Sequence, residues 1–368
     1  MKFTSTYYNC PSCGAAQSFN PKLGKLKCDF CKTQTDINSS ANTNKHPFSL
    51  DIKSSPDKIA TKEISCKKCS ASFENSPYMI ASICPYCKTP TLTPSINPIP
   101  IDGIIPFAIT HKAAQKLFKK WVGSLWFAPT KFTKYLDGDN KLTGEYIPHW
   151  SFDTDTTTSY SGARGDAYYV TVDKTITDQN GNRRVVQVQE RRIRWTPISG
   201  VVHNSFQDIT ACASSFVDKP IVESITPWKS NSIVSFDNRY LSGFLAQEYT
   251  SSPQQGFEDI KQKVAPYIRR KILVDIGGDE QQIHSIKTHY QDTKFQNNLY
   301  PIWSASFVWN DKEYDYAINA QTGQVSGERP YSIAKIAFAV FAAVITIGAI
   351  YIASNPQAQE YIKNLFMH

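Results

Sequence analysis

Eight of the nine cysteines in this 368-residue chain fall into Cys-x-x-Cys pairs, a spacing that offers two thiolates to one metal ion. Cys10, Cys13, Cys28 and Cys31 form one group of four; Cys66, Cys69, Cys84 and Cys87 form a second. Every cysteine of the first group recurs 56 residues later, and 14 residues separate the two pairs within each group. Each pair can present its sulfurs at about 2.3 Å from an ion, while the residues between pairs form a small hairpin that returns the second one. Gly14 suits the tight turn after the first pair. The spacing favours two structural zinc sites over an iron–sulfur cluster, a redox couple or disulfides. With four thiolates on each ion, no coordination position stays open for a substrate, so the expected cofactors are two structural Zn2+. Modules this small also have too little core to fold without their ion.

Other residues make a thinner case for chemistry. Cys212, between alanines, reads as a small buried hydrophobe. Asp153 and Asp155 share one face of an expected strand, but no histidine or further metal ligand stands near them in sequence. His46 and His111 read as surface residues, and His284 and His289 miss the i,i+4 spacing of a helical pair. The chain contains no GxxxxGK[ST], GxSxG or HExxH pattern, so no catalytic residue is assigned and a non-enzymatic role is expected. A basic contact surface is a further candidate: Lys67 and Lys68 in the second cysteine group, and Lys174, Arg183, Arg184, Arg191, Arg192 and Arg194 on an expected hairpin. Those cations could meet polynucleotide phosphates or anionic lipid headgroups. The plainer reading is a solvated face whose charges pair with Asp173, Asp178 and Glu190. Bulk charge lends little to nucleic acid, because the formal +8 falls to about +4 once two four-thiolate zinc sites of −2 each are counted.

These residues sit on a chain that divides by composition. Residues 1–35 and 63–92 are the two zinc ribbons, joined by a polar, flexible linker at 36–62. A Pro-rich linker at 93–100 leads into an α+β body at 101–330 with aromatic-rich antiparallel β hairpins. In the body, Thr110 caps an expected helix over 111–122, and strands are expected at 146–153, 159–163 and 167–176. A turn at 178–182 returns the chain as a strand over 183–195, and residues 206–216 read as a short buried helix. The spacing over 253–274 predicts the longest soluble helix, kinked or divided at Pro266. Two strands around Asn310 and Asp311 close the body; their Tyr-Pro-x-Trp opening echoes Tyr146–Trp150 and suggests two related β units.

Residues 336–353 carry no charge and are apolar all round, and with Ile333 and Ala334 they reach the ~20 residues needed to cross ~30 Å of hydrocarbon. A transmembrane helix over 333–353 and a short tail over 354–368 follow. Tyr361, Leu365 and Phe366 would let that tail form a small interfacial helix. Lys335 and Arg329 on the near side, with eight thiols that need a reducing compartment, place the body in the cytoplasm and the tail across the cell membrane.

Taken together, the stretches YIPHWSFD, SYSGARGD, ITACAS, RYLSGFLAQEY and YPIWSASFVW…YDYAINAQTGQVSGERP, ahead of a membrane segment, resemble one bacterial family. Its members carry N-terminal zinc ribbons and C-terminal membrane helices. They are often labelled as relatives of primosomal protein N′ (replication factor Y) or as TFIIB-type zinc-ribbon proteins. The resemblance implies a membrane-bound adaptor in envelope stress, working beside another membrane protein with SPFH-type and phage-shock-protein-A-like partners. The helicase part of the label finds no ATP-binding signature here, and two ribbons replace the single one of simpler members. A membrane-tethered zinc-ribbon nucleic-acid-binding protein is the alternative, and an uncharacterised enzyme is the third reading.

Overall fold

The computed structural model describes residues 2–41, 45–53, 61–132, 142–177 and 183–359, so the expected turn at 178–182 and most of the tail lie outside the described residues. The first ribbon contains β1 (Lys2–Thr4), β2 (Gln17–Asn20), β3 (Lys25–Cys28) and β4 (Gln34–Thr35). After β5 (His46–Pro47) come β6 (Lys62–Ser65), β7 (Ser72–Asn75), β8 (Met79–Ile83) and β9 (Pro90–Leu92) of the second. The body holds β10 (Gly103–Ile104), β11 (Thr143–Thr177), β12 (Arg183–Cys212), β13 (Val234–Ser235), β14 (Leu245–Gln247), β15 (Glu280–Trp309), β16 (Lys312–Asn319) and β17 (Val325–Gly327). The fold is thus two small β zinc ribbons, an α+β body with aromatic-rich antiparallel strands, and one long apolar C-terminal helix, Ile333–Ser354.

Three strands of unusual length dominate the body. β11 spans 35 residues, and β12 and β15 span 30 each, all antiparallel, with β11 in the middle. The three separate strands expected over 146–176 are one strand, because β12 answers it register by register from His149↔Cys212 to Thr177↔Arg183. β15 accompanies β11 only as far as Gly165↔Glu280, so the last part of the hairpin has two strands and both faces in water. Both neighbours of β11 shift register beside Asp153 and Thr154, with Asp208 and Asp292 at φ 52° and 50°. Asp208 is held in this left-handed conformation by the Asp153 carboxylate, which accepts its backbone N–H at 2.8 Å.

Residues 206–216 are not a helix. The segment is the end of β12 and the loop after it, where ladder partners on β11 outweigh the helical spacing. Helix Pro253–Ile276 starts with a capping box built by Ser252 and Gln255. Its apolar stripe, including Ile260, Val264, Ile268 and Ile272, packs on Trp150, Phe152 and Tyr160. Pro266 does not divide the helix: it lies on the solvent side, where the carbonyl it orphans is open to water, while Val264 and Ile268 hold both turns to the sheet. Gly256 lets that helix cross the strand closely, since a Cβ there would stand 2.5 Å from the Trp150 ring. Helix His111–Gly123 starts at the expected cap, Thr110, and sets Phe118 against Tyr316 at 4.1 Å. Asn310 and Asp311, both at positive φ, make the tight turn between β15 and β16.

The segments expected to be linkers carry specific contacts. Lys45 Nζ sits 2.6 Å from both Asp153 and Asp208, β5 pairs with β15, and Phe48 packs 4.7 Å from Phe257. In the Pro-rich stretch, Ile96 N–H donates to Glu248 and Asn97 to the Tyr249 carbonyl. The described parts of 36–62, and all of 93–100, are therefore fastened to the body; alternating polar residues found partners that composition does not reveal. The anchor helix, none of whose residues is buried, leaves the body at Ser332, whose N–H donates to the Phe127 carbonyl at 2.7 Å.

Candidate metal centres

Each cysteine pair lies on a knuckle with one backbone design. In all four, the N–H four residues after the first cysteine donates back to that cysteine's carbonyl at 2.8–3.0 Å: Gly14 to Cys10, Lys32 to Cys28, Ser70 to Cys66, Lys88 to Cys84. The donor residue has positive φ each time, between 58° and 72°. Only Gly14 was recognisable in the sequence; the other three adopt the left-handed region at a cost that the metal turn offsets.

The knuckles bring Cys10, Cys13, Cys28 and Cys31 together, and likewise Cys66, Cys69, Cys84 and Cys87, with the four sulfurs of each group within 4.8 Å of one another. Across pairs, the sulfurs are 3.4 Å (Cys10–Cys31), 3.6 Å (Cys13–Cys28), 3.7 Å (Cys66–Cys87) and 3.8 Å (Cys69–Cys84) apart. A disulfide needs about 2.05 Å. Four sulfurs set tetrahedrally at about 2.3 Å from one centre stand about 3.8 Å apart. The donor set and its dimensions are those of two structural Zn2+ sites.

Four thiols this close cannot ionise independently. The Ala15 N–H favours the Cys13 thiolate, yet the Cys31 sulfur, desolvation and the Cys28 and Cys10 sulfurs push the group up to about 12. Cys69 rises to about 12 in the same way, against the Ala71 N–H. The Thr33 hydroxyl, 3.1 Å from Cys31 Sγ, and its backbone N–H bring Cys31 down to about 6. At Cys87 desolvation opposes ionisation, and the corresponding Thr89 groups still lower it to about 6. A divalent ion resolves the conflict by stabilising every thiolate at once. The threonines had a sequence signal, the repeated Cys-Lys-Thr at 31–33 and 87–89.

The chain is similar to a Bacillus subtilis (strain 168) protein named "Uncharacterized protein YdjG", 26% identical over 340 residues that cover 90% of this chain and 92% of that one. No family model matches, and no solved structure matches. Both chains therefore share nearly their full length.

The basic candidates do not converge on one surface. Lys67 and Lys68 lie on a knuckle of the second ribbon, which meets the body sheet through β14 beside Glu145 and Tyr146 of β11. Lys174 lies 28 residues further along β11, roughly 90 Å of extended strand at ~3.3 Å per residue. On the hairpin, Arg191 pairs with Glu280 at 2.7 Å, Arg192 with Glu190 at 3.2 Å, and Arg194 lies over Tyr168. Lys174, Arg183 and Arg184 are exposed. Cys212 is fully buried and desolvation pushes its thiol up to about 11, the condition of an inert core thiol.

Proposed function

We propose that this chain is a non-enzymatic, membrane-anchored adaptor whose zinc ribbons recruit cytoplasmic protein partners. One observation carries the reading: Phe30 and Tyr86, at equivalent positions of the two repeats, project from coordinatively saturated knuckles with 86% and 67% of their surface exposed. A buried aromatic would stabilise the ribbon; an exposed one on a metal-rigidified turn is placed to be covered by another molecule. The cytoplasmic orientation is supported by the reduced cysteines the sites require and by Lys335 at the near end of the helix. The resemblance described above supports envelope stress as the setting and SPFH-type and phage-shock-protein-A-like proteins as partners.

Deleting residues 1–98 would be a poor test, because both ribbons contribute buried side chains to the body core. The double variant Phe30→Ser/Tyr86→Ser should instead keep both ions and membrane insertion while losing partner co-purification. Undiminished capture by that variant would refute the ribbon role.

A second reading, a tethered nucleic-acid binder, is favoured by the exposed cations of the long hairpin and by Lys67 and Lys68. It requires salt-sensitive binding to DNA or RNA, so a filter-binding titration without affinity at low salt removes it. An enzymatic reading is supported by one buried polar patch, where Asn298 Oδ1 and Trp228 Nε1 have no partner among the described residues.

A further inference from the structure

The geometry points to the turn carrying Trp126 and Phe127 as a second membrane contact, seated in the headgroup layer beside the anchor helix. The inference rests on the membrane reading of Ile333–Ser354, not on the adaptor role. Trp126 and Phe127 are 57% and 37% exposed, while Leu125, Ala128 and Phe132 around them are buried in the body core. Phe132 packs between Phe307 and Trp309 at 5.2 and 5.4 Å, so this turn is held from beneath and shows its two largest rings outward.

The turn is also fixed to the helix at the level where the helix enters hydrocarbon. Ser332, the N-cap, donates its N–H to the Phe127 carbonyl at 2.7 Å, and Lys335 Nζ donates to the Ala128 carbonyl at 2.8 Å. From that cap, 22 helical residues at ~1.5 Å each cover about 33 Å, one hydrocarbon thickness, so the cap lies at the near boundary. Tyr331, 59% exposed and beneath the Arg329 guanidinium at 5.5 Å, stands at the same level. Tryptophan and tyrosine with cations beside a helix entry are the composition that the bilayer interface prefers. The occupant of this aromatic patch is therefore the bilayer itself, because the patch is continuous with the surface the anchor helix already presents to lipid. Two contacts, the helix and the turn, fix the tilt of the body on the membrane where one would let it swivel.

The test uses the full chain in phosphatidylcholine vesicles whose acyl chains are brominated either near the headgroup or near the chain middle. The emission lost on Trp126→Phe should be quenched more strongly by the shallow bromine than by the deep one. Phe127→Trp in the Trp126→Phe background should restore shallow quenching, which separates lipid contact from a folding defect. Emission from Trp126 that neither lipid quenches would overturn the inference, as would stronger quenching from the deep position. Resistance to alkaline carbonate extraction reports the anchor separately, so loss of the helix reading and loss of the turn contact are distinguishable.

Discussion

The two zinc ribbons share a cysteine register and a knuckle design, yet they join the body by different physics. The first keeps its own three-stranded sheet and docks by local contacts: Phe19 packs edge-on against Tyr240 at 5.1 Å, its N–H donates to the Ser242 carbonyl at 2.8 Å, and Ser242 donates its hydroxyl to the Gln17 carbonyl at 2.6 Å. The second is built into the main sheet by backbone, β8 pairing with β14, which pairs with β11. Its β6 also takes the chain's first strand as a parallel neighbour, Phe3 opposite Ile64. A repeated metal site can thus serve as an attached module in one copy and as part of the frame in the other. The period of 56 residues alone does not distinguish them.

The largest expected effect sharpens that contrast. Cys84→Ser should remove one of the two ions, counted by native mass spectrometry, at a cost on the order of 10 kcal/mol to that module. It should also lower the melting temperature of the body, because β8 is a sheet strand. Cys28→Ser should remove one ion with far less change in body melting. Equal melting shifts would mean that both copies are frame elements. Next, Phe19→Ala should cost about 3–5 kcal/mol of docking while both ions stay bound, seen as faster amide exchange in the first ribbon. Unchanged exchange there would show that the backbone contacts suffice.

A pH experiment separates the body from both ribbons. His149 is fully buried, stacks on Tyr300 at 4.5 Å, and places Nδ1 3.0 Å from the Ile147 carbonyl. Desolvation lowers its pKa to about 4, below the ~6.5 of the unfolded chain. On acidification the unfolded state takes the proton first, so stability present above pH ~6.5 is lost as pH falls toward ~4, by up to roughly 3 kcal/mol. Zinc release at low pH acts in parallel, so the measure is the difference between wild type and His149→Asn in denaturant titrations. Parallel curves would mean that His149 does not titrate with folding. The smallest effect is expected for Phe30→Ser and Tyr86→Ser, each within about 0.5 kcal/mol by thermal melting, since these rings touch solvent.

What the sequence disclosed follows a simple division. Cysteine spacing, the apolar C-terminal run, the Thr110 cap and the Asn310-Asp311 turn were legible because each is a local chemical requirement. Long-range pairing was not. Nothing in residues 45–48 announces that Lys45 will bridge two aspartates or that Phe48 will enter an aromatic cluster, and polar composition argued for a tether. The end of β12 read as a helix for the same reason: its partner lies some sixty residues earlier on β11. Lys62 is another contact invisible in sequence, buried under Phe3 and donating to the Met79 and Pro94 carbonyls, with desolvation lowering its pKa.

The pairing of β1 with β6 has a consequence in time. At ~5–20 residues per second of synthesis, Lys2–Thr4 waits roughly 3–12 seconds for the strand it pairs with, Lys62–Ser65. The first cysteine group emerges whole within that interval and can take its ion alone. The second ribbon then has to gather up a segment made long before it. An extension fused ahead of Lys2 would therefore sit against the second ribbon and not the first, so a tag placed there perturbs the copy that belongs to the frame.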